Sequence, residues 1–298
     1  MPKEKQWNRY QLKEKAARVR YWMSVLDKLS FRKKKPLLGT EMFLPTVLGD
    51  KRVLAYNMNN PRDLPLYINM HGGGFIMGDA DMDDPFMAKI AEKANVKIFN
   101  VDYQLAPEAP HPKALYDCYA IAKYANEYPE DLRIDPDNIA IGGQSAGGNL
   151  SAAACLINRD LKQFNIKCLV MNYPPLDLYT DASLKPSPRG SIPVFLSRIF
   201  DACYCNEKDN RKDPSISPIF ATDKQLRDFP PTLITTAAFD SLCEEGEEFR
   251  DRLMEVGVEV THKRFRAKHG FNLKPGADAD ESWQMVIDHL KKHLFSEY

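Results

Sequence analysis

Ser145 lies in the run Gly143-Gln144-Ser145-Ala146-Gly147, and upstream of it stands His71-Gly72-Gly73-Gly74-Phe75. A serine on a glycine-flanked turn and a bare glycine loop are the parts of an acyl-transfer centre: a nucleophile, and backbone amides able to approach a developing oxyanion closely. In a chain of this composition Gly-x-Ser-x-Gly arises by chance in roughly three of a hundred sequences, and His-Gly-Gly-Gly in about one of a thousand. The second run therefore lends the first its weight.

A serine hydroxyl is a poor nucleophile until a neighbouring base takes its proton, and the base works best when a third group orients it. Ser145 follows the β-rich run 138–141 and precedes a helical pattern over 146–159, a strand-turn-helix setting in which Gly143 and Gly147 permit the sharp turn. Of the six histidines, His71 opens the glycine loop, His111 sits among prolines, His262 lies inside a strand pattern, and His289 and His293 share a terminal helical face. His269 follows the strand pattern 260–265, in Lys268-His269-Gly270-Phe271, where a loop at the carboxyl edge of a sheet can meet Ser145. The acid should also stand just beyond a strand, and Asp240 ends the run that begins at Thr232. Its competing reading is a cap for a helix over 244–256, whose early acids Glu244, Glu245, Glu247 and Glu248 suit a positive helix start.

The oxyanion would be met by the N–H groups of Gly73 and Gly74, joined by that of Ala146. A glycine run can instead cradle phosphate, but no Gly-Lys-Ser/Thr follows this one. Asp81, Asp83 and Asp84 come soon after, and Asp84 before Pro85 reads as a helix cap. Cys203-x-Cys205 has no second ligand pair nearby, so neither a metal nor a cofactor is expected.

Short β-rich runs at 53–58, 66–70, 97–103, 138–141, 168–172, 232–236 and 260–265 alternate with helical patterns, which implies a mostly parallel sheet with helices on both faces. Two segments break the rhythm. Residues 1–35 carry Trp7, Tyr10, Ala17, Tyr21, Val25 and Leu29 at helical spacing on a charged background. The stretch 184–217 begins in Lys185-Pro186-Ser187-Pro188 and holds the apolar run 192–202. The two could pack together as a lid, with Trp7, Trp22, Met77, Phe195, Phe200 and Tyr204 as candidate pocket walls. The rival reading of the basic arm is a membrane-surface helix, against which Glu14 stands on the apolar stripe.

At 298 residues and 44% hydrophobic content the chain can bury a large core, one catalytic domain with an appendage. Its net charge is zero, which exerts no general pull toward nucleic acid. The distribution is uneven: residues 1–35 hold twelve Lys or Arg against Glu4, Glu14 and Asp27, near +9, leaving the remainder near −9. The first residues lack the apolar stretch of a secretory signal, and nowhere do eighteen apolar residues run together. A cytoplasmic protein without stable membrane insertion is expected. The six cysteines show no disulfide-rich spacing. The last strand offers a sheet edge on which a homodimer would form, though no residue pattern demands one.

At these residues the chain resembles the hormone-sensitive-lipase-like carboxylesterases of the α/β-hydrolase superfamily. The resemblance spans about residues 45–295 through His71 to Gly78, Asp102-Tyr-Gln-Leu-Ala-Pro-Glu108, Gly143 to Asn149, Phe229 to Thr235 leading to Asp240, and His269-Gly-Phe271. It implies an α/β-hydrolase fold with a mostly parallel central sheet, helices on both faces and a helical cap. Residues 1–45 and 184–217 would form the cap, and 46–183 with 218–298 the catalytic domain. It implies the triad Ser145, Asp240 and His269, the oxyanion hole Gly73, Gly74 and Ala146, and hydrolysis of short to medium acyl esters without a cofactor. Gln144 stands where many members have Asp or Thr, and Asp240-Ser-Leu-Cys replaces the common Asp-Pro-Leu-Arg, which blurs substrate preference. The rivals are an amidase or arylformamidase using the same triad, and a non-catalytic small-molecule receptor on the same scaffold.

Overall fold

The protein, a computed structural model, is described for residues 6–29 and 36–295, with only the backbone of 26–29. Its sheet has eight strands: β1 (Thr40–Thr46), β2 (Gly49–Tyr56), β3 (Leu64–Met70), β4 (Lys97–Val101), β5 (Ile134–Gln144), β6 (Ile166–Asn172), β7 (Thr232–Phe239) and β8 (Val260–Lys268). They lie in the order β1-β2-β4-β3-β5-β6-β7-β8. β2 pairs antiparallel with both β1 and β4, and every other pairing is parallel. The central strands β3 and β4 are buried at every position, as a parallel sheet covered on both faces requires.

The helices are α1 (Arg9–Leu29), α2 (Asp84–Ala94), α3 (Lys113–Glu127), α4 (Pro129–Leu132), α5 (Ala146–Leu161), α6 (Val194–Tyr204), α7 (Asp223–Leu226), α8 (Cys243–Glu255) and α9 (Ala277–Leu294). One face of the sheet packs through Leu66, Ile68 and Ile141 against Leu115, Ile121, Leu150 and Phe249 of α3, α5 and α8. The other packs through Tyr67, Ile98 and Val170 against Met87 and Ile90 of α2 and Trp283, Val286 and Leu290 of α9. Both layers are therefore closed, and what projects beyond the carboxyl ends of the strands is left to the loops.

The seven strand patterns expected from sequence are all strands, but the sheet begins earlier, with β1 inside the segment that sequence reasoning gave to the lid. β1 escapes periodicity analysis because it is an edge strand with Thr40, Glu41 and Phe43 in solvent and Pro45 near its end. The arm is helical, yet its buried side is not the aromatic stripe. Leu12 and Ala16 are buried against Ile199, Phe200, Ala202 and Cys203 of α6, whereas Tyr10, Ala17 and Tyr21 face solvent. A helix resting on small residues comes close enough to bury little else, so the large rings are left on its far side. Leu29 has its side chain outside the described residues. Asp84 is not a helix cap: it is the first residue of α2, and its carboxylate accepts the N–H groups of Leu38 and Gly39 and the Tyr56 hydroxyl. It thereby fastens the chain leading into β1.

Candidate active site

β5 runs straight into α5, and the residue between them is Ser145, at φ 53° and ψ −119°. That conformation is strained for a side-chain-bearing residue and is held from outside: Ser145 N–H donates to the Asn172 carbonyl at 2.8 Å, and its own carbonyl accepts from Gly148. The flanking glycines serve close approach. A Cβ on Gly147 would fall 1.8 Å from the Met70 carbonyl oxygen, and one on Gly143 2.3 Å from the same atom. Only glycine lets α5 start directly against the end of β3.

His269 stands just past β8 and Asp240 just past β7, neighbouring parallel strands three and two positions across the sheet from β5. His269 Nε2 is 2.9 Å from Ser145 Oγ, and His269 Nδ1 is 2.6 Å from Asp240 Oδ2. With the imidazole proton on Nδ1, that N–H donates to the carboxylate while Nε2 accepts from the serine hydroxyl. Asp240 also accepts the Leu242 N–H through Oδ1 at 3.3 Å, so it takes part in the turn before α8 while its other oxygen holds the histidine. Asp240 is therefore not the cap of α8, whose N-cap position is Leu242 with no side-chain cap bond; its carboxylate is turned on His269. His111, His262, His289 and His293 all bond elsewhere or lie in the layers away from Ser145.

Gly72 passes so near the serine that a Cβ on it would sit 3.5 Å from Ser145 Cβ. Gly73 and Gly74 follow at φ 126° and 58°, and the carbonyl of Gly73 accepts from Ile76 and Met77, closing the turn. Among the described residues the amides of Gly73, Gly74 and Ala146 have no protein acceptor. His71 is not in the cavity. It is fully buried behind the loop, stacked on Tyr103 with centroids 4.1 Å apart; Tyr103 donates its hydroxyl to the His71 carbonyl at 2.8 Å. Burial pushes its pKa down, which keeps the ring neutral.

Under Ser145 runs a buried polar chain. Gln144 donates to Asn69, and Asn69 donates to Asp83 and Asn100. Burial pushes the Asp83 carboxyl up to about 7. Tyr173, at the end of β6, turns its ring edge on His269 with centroids 4.8 Å apart, and donates its hydroxyl to Asn272. Sequence reasoning passed over Tyr173 and Asn272; the one signal for Tyr173 is its place directly after a strand, ahead of Pro174-Pro175.

These groups open into a cavity of about 330 Å³, whose apolar walls include Met23, Met77, Met82, Ile192, Leu196 and Phe200. Of the six side chains sequence offered as walls, Met77 and Phe200 line it. Trp22 and Phe195 are instead exposed, Trp7 lies at the start of the arm, and Tyr204 stacks behind Phe75. A helix turns its side chains by a hundred degrees per residue, so wall residues cannot be chosen until its seat is known. A wider cavity of about 780 Å³ between the start of α1 and residues 202–216 contains none of Ser145, Asp240 and His269.

Two side chains tie the surrounding segments to the site. Arg20 on α1 donates to the carbonyls of Ile76 and Ala106 at 2.6 and 2.8 Å and pairs with Glu108, whose carboxyl it holds below its usual range. Lys185 donates to the Asp177 carbonyl and to Glu245 on α8, both at 2.5 Å, while Glu245 accepts the N–H groups of Leu176 and Asp177. Burial pushes the Glu245 carboxyl up; burial also opposes the charge of Lys185, but the facing carboxylate outweighs it and raises that pKa.

The cysteines form no disulfide, and Cys203 and Cys205 are separate free thiols. Among the described residues no three His, Cys, Asp or Glu side chains gather as metal ligands, and no helix is long and apolar enough to cross a membrane.

A serine on a strained strand-to-helix turn, with its histidine and carboxylate on the last loops of a parallel sheet, defines an α/β hydrolase. Residues 67–273 match the pattern of the α/β-hydrolase fold, and the chain belongs to that family, in its hormone-sensitive-lipase-like branch. It is 31% identical to a carboxylic ester hydrolase of Mycobacterium tuberculosis over 86% of this chain and 70% of that one. It is 33% identical to an arylesterase of Saccharolobus solfataricus over 77% and 75% of the two chains. In three dimensions it superimposes on a hyperthermophilic esterase of the archaeon Pyrobaculum calidifontis with a TM-score of 0.80 at 28% identity, covering 95% and 96% of the two chains.

Proposed function

We propose that this chain is a serine carboxylesterase acting on short to medium acyl esters through an acyl-enzyme. The unbroken line from Ser145 Oγ to His269 Nε2 at 2.9 Å, and from His269 Nδ1 to Asp240 Oδ2 at 2.6 Å, carries the reading. Ser145 Oγ attacks the ester carbonyl carbon as its proton passes to His269 Nε2. Negative charge gathers on the carbonyl oxygen, faced by the amides of Gly73, Gly74 and Ala146. Collapse breaks the bond to the alcohol oxygen, which leaves with the proton from His269. Water then attacks the acyl-serine, again giving a proton to His269; the acid departs and Ser145 recovers its hydrogen. Asp240 keeps the imidazole in the tautomer this sequence needs. No cofactor enters.

The part of residues 1–45 that precedes β1, together with 184–217, acts as a cap over the catalytic residues, while β1 itself belongs to the sheet. The seat of α1 on α6, and the wall contributed by Met23, Ile192, Leu196 and Phe200, support that division. The cavity of about 330 Å³ is at the small end of the range for ligand sites, roughly 300–1,000 Å³, which favours shorter acyl groups. The relatives named as ester hydrolases support the reaction class.

The test is a p-nitrophenyl series from acetate to decanoate with the native chain and Ser145→Ala. Turnover should be lost with the variant and should fall toward the long end of the series with the native chain. Undiminished hydrolysis by the variant would sink the assignment.

A further inference from the structure

The side of α1 that turns away from the protein is a continuous stripe. Tyr10, Lys13, Glu14, Ala17, Arg18, Tyr21 and Trp22 recur at three- and four-residue intervals, and all are exposed. Tyr10, Tyr21 and Trp22 remain 76%, 63% and 64% exposed. Tyr21 and Trp22 meet edge to face with centroids 5.9 Å apart, and among the described residues the three rings are left largely uncovered on a helix whose opposite side is already seated. The one acid of the stripe, Glu14, is paired with Arg18 at 2.5 Å, so the stripe carries no uncompensated negative charge and presents Lys13 and the rings. Sequence places it within a segment near +9 on a chain whose remainder is near −9.

We propose that this face is a docking surface for an anionic lipid headgroup layer, on which the protein lies peripherally. The charge selects the layer: the arm is drawn to it and the acidic body is repelled, so the helix meets it sideways. The side chains fit the depth. Tyr and Trp rings with a polar tip, interleaved with Lys and Arg, suit the headgroup boundary, whereas cores of protein interfaces are poor in Lys. Position gives the contact a use. Met23, next to Trp22, lines the cavity and is itself 46% exposed, and the exposed Phe195 and Leu184 adjoin the lining residues Leu196 and Lys185. A layer touching this stripe would lie beside the mouth above Ser145. This inference stands apart from the proposed reaction, because binding is measured without turnover.

The experiment mixes the full chain with phosphatidylcholine vesicles, with and without phosphatidylglycerol, and follows co-sedimentation and tryptophan emission. Binding is expected to the phosphatidylglycerol vesicles alone, with a blue shift that Trp22→Phe removes and a loss of binding at high salt. Tyr21→Ser with Trp22→Ser, and separately Lys13→Glu with Arg18→Glu, should each weaken partitioning about tenfold or more. Because all four side chains are exposed, the variants should keep the native melting temperature and hydrolysis of a soluble ester. Absence of partitioning to anionic vesicles, or partitioning unchanged in both variants, overturns the proposal. So does a lipid-free dimer that the same substitutions dissociate, which would give the face to a second copy of the chain.

Discussion

Arg20 reaches from α1 to the carbonyl of Ile76, two residues beyond Gly74, with Nε to oxygen at 2.6 Å. The helix that shares the cavity wall is thereby fastened to the same loop whose amides face the serine. Replacing Arg20 with Met removes this bond, the one to Ala106 and the half-exposed pair with Glu108. We expect a loss of about 2 kcal/mol of stability, discounted for the solvent around Glu108. Protease cleavage within α1 should rise, and kcat should fall more than KM changes. An unaltered cleavage rate would mean that the seat on α6 suffices.

Ser145 holds a backbone conformation that costs of order 1–3 kcal/mol in a residue with a side chain, and glycine adopts it freely. Ser145→Gly should therefore be inactive and melt higher, by about 2–4 °C after the extra entropy of the unfolded glycine is counted. Ser145→Ala should be equally inactive without that gain. Calorimetry on the two variants separates strain from chemistry.

Glu245 is buried and Lys185 nearly so, and removing one partner strands the other. Glu245→Gln should destabilise by about 3–5 kcal/mol, since it leaves an ammonium without its counter-charge. Adding Lys185→Met to it should restore most of the loss, because Gln still accepts the Leu176 and Asp177 amides. Denaturant unfolding of the two single variants and the double variant closes the cycle; strict additivity would deny the coupling.

His289, buried on α9 beside His293, has its pKa lowered from 6.5 to about 4, chiefly by burial. Above 6.5 both folded and unfolded chains carry a neutral ring, so its contribution is whole. As pH falls from 6.5 to about 4 the unfolded chain takes up the proton first, and stability drops by about 3 kcal/mol. His289→Asn should flatten that acid limb in melting-temperature profiles. A profile that keeps its slope would trace the loss to other groups.

The fold and the meeting of Ser145, Asp240 and His269 were legible for one reason: each depends on local order along the chain. A strand run followed by a turn residue is a sequence pattern, and Ser145, Asp240 and His269 each follow one. What stayed hidden depends on where helices sit. The aromatic stripe of α1 reads as a packing face, yet the fold buries Leu12 and Ala16, because closeness of approach to α6 outweighs ring area. Tyr173, Asn272 and the Lys185–Glu245 pair join segments far apart in sequence, and a single chain carries no trace of such pairings. The strand β1 was lost because Thr40, Glu41, Phe43 and Pro45 all face water, which leaves too few buried residues for a pattern.

Residues 184–217 leave the sheet after β6 and return before β7, whereas Ser145, Asp240 and His269 hang from the ends of β5, β7 and β8. Part of the chamber wall, Ile192, Leu196 and Phe200, is thus written in a stretch of chain separate from Ser145, Asp240 and His269. A graft exchanging only that excursion, with Lys185 kept as its fastening, would diversify what enters while inheriting the reactive machinery whole.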